Sequence, residues 1–250
     1  MKKKIILSAN TSWYLFNFRA STIQEFINLK HEVICIAPED EYTQKLKNLG
    51  CTFIPISMNN KGINPLKDIH LLLQFLRYYF KVKPDVIFHF TIKNNIYGTW
   101  AAKILSIPAI NNISGLGTAF LSTGLLSIFV KILYKTSQCY AYKVFCQNPE
   151  DLHLLSTQRL VPAQNLVLLP GSGVNLQRFH PNLRSMNSNQ YFTFLYAGRM
   201  LKDKGLYELI EAIQSINQNG MKCNLRLCGF ANADNRSSIP ISKLEEWKNI

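Results

Sequence analysis

The sequence predicts an α/β protein: a parallel sheet covered by helices on both faces, followed by the beginning of a second unit of the same kind. Three observations predict it. Short runs rich in Ile, Val and Phe recur along the chain and are continuously apolar, the pattern of strands buried on both faces. Most stretches between them carry apolar residues at helical spacing. A polar, proline-bearing stretch, HPNLRSMNSNQ at 180–190, reads as a linker.

The first strand is read at 4–8. The MKKK before it imitates the start of a signal peptide, but the apolar run stops after Leu7 and no small-residue cleavage site follows a long core. A helix with Ile23, Phe26 and Ile27 on one side leads to a second strand at 32–37, closed by Pro38. Leu46 and Leu49 mark the next helix, and Gly50 stands where a left-handed cap is expected. Further strands are read at 52–56, 85–90, 109–113, 143–146 and 166–169, with Pro84, Pro108 and Pro170 next to their ends. The segment 65–83, PLKDIHLLLQFLRYYFKVK, mixes Leu, Phe and Tyr with Lys67, Arg77, Lys81 and Lys83, and so is either a core helix or a basic amphipathic surface for anionic lipid. The stretch 120–135 has the same two readings. Beyond the linker come a strand in YFTFLYAG, 191–198, a helix from about Gly205, and a strand in CNLRLCG, 223–229. The domains are therefore placed at 1–182 and 183–250. The second is smaller than the usual domain of about 100 to 150 residues and is read as incomplete.

Bulk composition narrows the function. The chain has 250 residues, 47% of them hydrophobic, enough to bury a substantial core. Its 28 Lys and Arg against 15 Asp and Glu leave a formal charge of +13, which favours an acidic partner: nucleic acid, anionic lipid or a phosphorylated small molecule. No RNP-type strand, zinc-finger spacing or helix-turn-helix pattern is visible, so nucleic-acid binding is the weaker reading. Six cysteines without a C-x-x-C pair, most inside apolar runs, suit a reducing cytoplasm. No window reaches the roughly 18 apolar residues of a membrane span, so membrane contact is expected to be peripheral. The histidines have no i, i+4 partner, and no metal site is expected. His89 ends a strand and is expected to point into a cleft, where a lone histidine is more often structural than catalytic.

Several loops after strands carry chemistry. In YAGRMLKDKGLYELIEAI, 196–213, Gly198 lets the chain turn and Leu206, Leu209, Ile210 and Ile213 line one helix face. Arg199, Lys202 and Lys204 gather at that helix's N-terminus, where backbone N–H groups attract anions but cations oppose the macrodipole, so a diphosphate would fit; a solvated loop is the alternative. In LPGSGVNLQRF, 169–179, Gly171 and Gly173 permit positive φ or close approach and Ser172 could donate to a ligand oxygen, although a tight turn explains the glycines equally well. TIKNNIYG, 91–98, puts Lys93 and Asn95 at a third strand end, or is an ordinary loop with an Asn cap. NISGLGTAF, 112–120, offers Gly115 and Gly117 where a sugar or phosphate could approach. The aromatic stretch NTSWYLFNFR, 10–19, runs from Asn10 to Arg19 and could be partly core, partly contact for sugar or lipid. Loops after successive strands open on one edge of a parallel sheet, so these are expected to converge.

These blocks, together with HEVICIAPED at 31–40, QNPEDL at 147–152 and WKNI at the end, fall in the order seen in family 4 glycosyltransferases, which the chain resembles over nearly its whole length. The likeness is to bacterial enzymes that extend undecaprenyl-diphosphate-linked glycans, N-acetylgalactosaminyltransferases among them. It implies a GT-B fold of two Rossmann-like domains, a UDP-sugar donor, a polyprenyl-diphosphate-linked acceptor, and a retaining, metal-independent transfer of a hexose or N-acetylhexosamine without a cofactor. Peripheral residence at the cytoplasmic face of the plasma membrane, on an anionic surface, is expected to go with that acceptor. The resemblance puts Gly198, Arg199 and Lys204 on the donor diphosphate, Gly171, Ser172 and Gly173 at the cleft, and Asn10, Arg19, Lys93, Asn95, Gly115 and Gly117 on the acceptor side. Two departures stand out. Ser114 occupies the place of a histidine found in many relatives, so no catalytic residue is assigned, and the acidic E-x7-E segment expected to hold the donor sugar does not occur by Ile250. The chain is accordingly expected to be truncated and to transfer poorly alone. The alternative is an inactive phosphate- or membrane-binding module, with a nucleic-acid-binding protein behind it.

Overall fold

The computed structural model describes residues 1–59, 64–116, 124–183, 191–231 and 237–249. The chain divides into two compact units, Met1–Phe179 and His180–Ile250. In the first, strands β1 (Lys4–Ser8), β2 (Glu32–Ala37), β3 (Thr52–Pro55), β4 (Val86–His89), β5 (Ala109–Ile113), β6 (Lys143–Cys146) and β7 (Leu166–Leu168) form one seven-stranded sheet in the order β3-β2-β1-β4-β5-β6-β7. Every neighbouring pair is parallel, so all seven carboxyl ends lie on one edge. The chain winds outward from β1 to β3, then returns to β4 beside β1 and winds the other way. The switch point between β1 and β4 is where ligands of open α/β sheets bind.

Burial explains why these strands read as unbroken apolar runs. In β1, Ile5 and Leu7 enter the core layer that holds Leu15, Ile23 and Leu46, while Ile6 enters the opposite layer with Leu71, Phe75, Tyr79 and Ile87. Side chains alternate between faces, and both faces are covered. Helices α1 (Ser12–Asn28), α2 (Thr43–Asn48), α3 (Pro65–Val82), α4 (Thr99–Ile104), α5 (Leu125–Gln138) and α6 (Pro149–Thr157) provide the covering. Their starts follow sequence signals: Thr11 accepts from the N–H of Tyr14 at 3.0 Å, Asn64 caps α3 with Pro65 in its first turn, and Asn148 caps α6 with Pro149 in its first turn. Gly50, after α2, has φ of +99° as expected of a left-handed cap.

The segment 91–98 departs from the loop reading. Asn94–Gly98 forms a turn of π-helix that runs directly into α4 and is buried throughout. Buried polar groups anchor it. Lys93 and the Tyr97 hydroxyl both donate to Asp68 of α3, and the Asn95 amide donates to the Asn112 carbonyl at 3.1 Å. The Gln138 amide donates to the Asn95 carbonyl at 2.9 Å, and Gln138 also bonds Asn111, which bonds Thr99.

The second unit holds a parallel pair, β8 (Phe192–Ala197) and β9 (Cys223–Cys228), joined through α7 (Leu206–Gln218), with α8 (Ile241–Glu246) beyond. Met200, Leu206, Ile210, Ile239 and Trp247 form its core. The strands are those expected from the sequence, and the helix starts one residue past Gly205.

Candidate ligand-binding residues at the carboxyl edges

Residues from five strand ends meet at the carboxyl edge of the first unit. Arg19, on α1 after β1, is 4% exposed, and its Nη2 donates to Tyr14 Oη at 3.1 Å and to Ser172 Oγ at 3.2 Å. Its guanidinium carbon lies 4.4 Å from the ring centroid of Phe90, the residue after β4. Ser172, in the loop after β7, also accepts from Gln147 Nε2, after β6, at 2.9 Å; that same nitrogen donates to Asn112 Oδ1 of β5 at 3.2 Å. Gly171 and Gly173 flank Ser172 with φ of +78° and +74°, and the space beside each is open. Such φ values suit glycine, and they let the loop fold back from the sheet margin toward β1. The convergence expected of these loops is realised within this unit for Arg19 and Ser172.

Other expected residues lie elsewhere. Lys93 does not offer a free cation to a ligand, because its ammonium is paired with the buried Asp68 carboxylate. Asn95 is 1% exposed and serves the π turn, facing inward. His89 is fully buried, in contrast to the cleft position expected from its place at a strand end. Its ring bonds Tyr79 Oη at 2.9 Å and Asn111 Oδ1 at 2.8 Å, and burial pushes its pKa down to about 4, so the imidazole is neutral and structural. Asn10 follows β1 just before the cap of α1, and Gly115 is exposed after β5 with open space around it. Gly117 lies outside the described residues. Ser114 is exposed beside Gly115. No group of three or more possible metal ligands occurs among the described residues.

In the second unit the motif at 196–213 leaves Arg199 and Lys204 without an ion pair among the described residues. Gly198 follows β8, and Arg199 is exposed; a 3-10 turn, Lys202–Lys204, then leads through Gly205, φ +72°, into α7. Arg199 and Lys204 pair with no carboxylate among the described residues, whereas Lys202 lies 6.0 Å from the Tyr207 ring centroid. Cations here oppose the helix dipole, so they cost stability unless an anion joins them. Neighbouring glycines allow the loop its course. A Cβ on Gly229 would stand 1.7 Å from the Gly198 carbonyl oxygen, and one on Gly198 would meet Tyr196 Oη at 2.9 Å.

Tyr14, one of the aromatics read as a possible contact for sugar or lipid, completes the first cluster together with Phe90, Asn112 and Gln147, which had not stood out as sequence candidates. Each of these three lies in or beside a motif that did: Phe90 at the end of a strand, Asn112 at the start of NISGLGTAF and Gln147 at the start of QNPEDL. What was not visible is that β7 and β1, with three strands between them, send their loops to the same point.

Comparison with known proteins agrees with this architecture. A family model described as glycosyl transferase 4-like matches residues 4–148. A Campylobacter jejuni protein named N,N'-diacetylbacillosaminyl-diphospho-undecaprenol alpha-1,3-N-acetylgalactosaminyltransferase is 27% identical over 86% of the chain and 60% of its own length. The Staphylococcus aureus capsular polysaccharide biosynthesis glycosyltransferase CapM is 23% identical over 84% of the chain and 57% of its own. The chain thus spans about three fifths of these relatives. Among solved structures, a glycosyltransferase from Rickettsia africae superimposes with a TM-score of 0.68 at 16% identity, covering 99% of this chain and 63% of that one. Anabaena HepE in complex with UDP and glucose gives 0.66 at 13% identity, over 99% and 66%. The fold is of the GT-B type.

Proposed function

Because the chain belongs to the glycosyl transferase 4-like family, we propose that it binds the donor diphosphate and the acceptor in a glycosyltransferase that moves a hexose or N-acetylhexosamine from a UDP-sugar to a polyprenyl-diphosphate-linked glycan, with retention and without a metal. One observation carries the donor half: Arg199 and Lys204 stand exposed, and without an ion pair among the described residues, at a strand's carboxyl end and before the N-terminus of α7. There they would neutralise the charge that develops on the departing nucleoside diphosphate, the electrostatic task that dominates such a transfer. The relative named for diphospho-undecaprenol and the neighbour that binds UDP and glucose support this reading. Equilibrium dialysis of the chain against labelled UDP-sugars tests it: retention is expected, competed by UDP and not by free sugar. Retention that UDP does not compete would argue against it.

The acceptor half places the protein on an anionic membrane at the cytoplasmic face. No described helix is long and apolar enough to cross a membrane. However, α3 buries Leu71, Phe75 and Tyr79 and turns the opposite stripe, Leu66, Ile69, Leu73 and Phe80, outward, each more than half exposed. Exposed Lys67, Arg77 and Lys81 flank that stripe. Helix α5 likewise exposes Ile128, Phe129 and Ile132 near Lys135. Apolar side chains rimmed by cations are the pattern of interfacial helices. The protein is expected to sediment with phosphatidylglycerol vesicles and much less with phosphatidylcholine ones, and Leu73→Glu with Phe80→Glu should weaken that binding about tenfold or more. Equal partition of the wild type and the double variant would remove α3 from the contact.

A further inference from the structure

Arg19 is a buried cation without a counter-charge among the described residues. Among the described residues no carboxylate pairs with it, its Nε has no partner, and its bonds go to the neutral oxygens of Tyr14 and Ser172. A buried charge held only by neutral groups is costly, and proteins keep one where a ligand compensates it. The hydroxyls show where that ligand would sit. Ser172 Oγ already accepts two hydrogen bonds, from Arg19 and Gln147, so its own O–H must donate elsewhere. Tyr14 Oη accepts from the same guanidinium nitrogen and likewise keeps its proton to give. Two donors polarised by one buried cation, at the switch point of the sheet, form a receptor for an oxyanion.

We propose that Tyr14, Ser172 and the Arg19 behind them bind the diphosphate of the prenyl-linked acceptor. The identity of that occupant rests on the glycosyltransferase reading; the oxyanion chemistry does not. Tyr14 and Ser172 would touch the phosphoryl oxygens, and Arg19 acts through them as a positioning residue that supplies the charge. The surroundings suit a lipid diphosphate better than a nucleotide: Phe18, 45% exposed, packs 5.2 Å from the Tyr14 ring, and Phe90 closes the other side of the guanidinium. The unpaired cations of the second unit are separate side chains, left for the donor.

Calorimetric titration of the full chain with geranyl diphosphate and with inorganic pyrophosphate, each with and without saturating UDP, tests the proposal. Wild type should bind both, and UDP should not compete with geranyl diphosphate. Tyr14→Phe and Ser172→Ala should each weaken binding about five- to tenfold, and Arg19→Gln about tenfold or more, with UDP affinity unchanged in all three. Without ligand, Arg19→Gln should melt at the wild-type temperature or above, since it removes an uncompensated charge. Wild-type affinity in Tyr14→Phe and Ser172→Ala, or failure of the wild type to bind either diphosphate, overturns the proposal. Binding of pyrophosphate alone overturns the lipid assignment, and competition by UDP returns the site to the donor. Loss of UDP binding with geranyl diphosphate binding intact would instead sink the donor reading and leave this site standing.

Discussion

Gly98→Ala is expected to destabilise the protein by about 3 kcal/mol or more, although helix propensity alone favours alanine over glycine by about 1 kcal/mol. The backbone at Gly98 is helical, φ −64°, so alanine meets no conformational objection. The obstacle is His89. An added Cβ would stand 2.3 Å from its Nε2 and 2.7 Å from its Cδ2, and the ring cannot step aside because Tyr79 and Asn111 hold both nitrogens. The π turn must therefore lift away from β4, which disturbs Asn95, Tyr97 and their buried partners. Urea midpoints measure the loss. In a Gly98→Ala, His89→Ser double variant the overlap is gone, and the combined cost should fall below the sum of the single costs. Additive costs would show that Gly98 and His89 do not constrain each other.

Gly229→Ala should weaken UDP binding by at least about tenfold without altering any charge. The added methyl carbon would overlap a backbone atom, the Gly198 carbonyl oxygen at 1.7 Å, and backbone cannot rotate away as a side chain can. Bonds from Gly198 N to the Cys228 carbonyl, 2.9 Å, and from Met200 N to the Phe230 carbonyl, 3.3 Å, clamp the two chain segments on either side of the contact. Relief must therefore move the loop that carries Arg199. A drop in UDP affinity of at least about tenfold is expected, with loss of stability in the second unit. Gly115→Ala is the contrasting change. Among the described residues nothing lies within 4 Å of its added Cβ, and it should leave stability within about 0.5 kcal/mol of wild type. Near-wild-type UDP affinity in Gly229→Ala would show that the loop's course does not matter to the ligand.

How much of this was legible in the sequence follows from what each feature depends on. Strands β1, β2 and β6 were readable to the residue because their buried apolar runs are continuous and sharply bounded, and β5, AINNI, was readable to the residue although it carries the buried Asn111 and Asn112 between its apolar ends. Strands β3, β4 and β7 lost only end residues. The Arg199 and Lys204 motif was readable because its strand, turn and helix are contiguous. Lys93 and Asn95 misled for a definite reason: polar residues after a strand look like a cleft lip, and nothing local announces that a π turn will carry them inward. Their partners lie far along the chain, at Asp68, Asn112 and Gln138, and Asp68 sits in a helix otherwise read as basic. His89 shares this fault, since its burial depends on Tyr79 of α3 and Asn111 of β5. Arg19 was visible as a cation but not as a buried one. Only the strand order, with β1 next to β4, brings Phe90 against it, and only the return of the β7 loop supplies Ser172.

Calorimetric titration of UDP into the wild type, Arg199→Ala and Lys204→Ala, at low and high salt, tests the central claim most directly. The account predicts a single UDP site of modest salt dependence. Each substitution should weaken it by about tenfold or more, the worth of a charge-assisted hydrogen bond of about 1.5 to 3 kcal/mol. Unchanged UDP affinity in both variants, or a wild type that ignores UDP and instead binds any duplex with steep salt dependence, would contradict it.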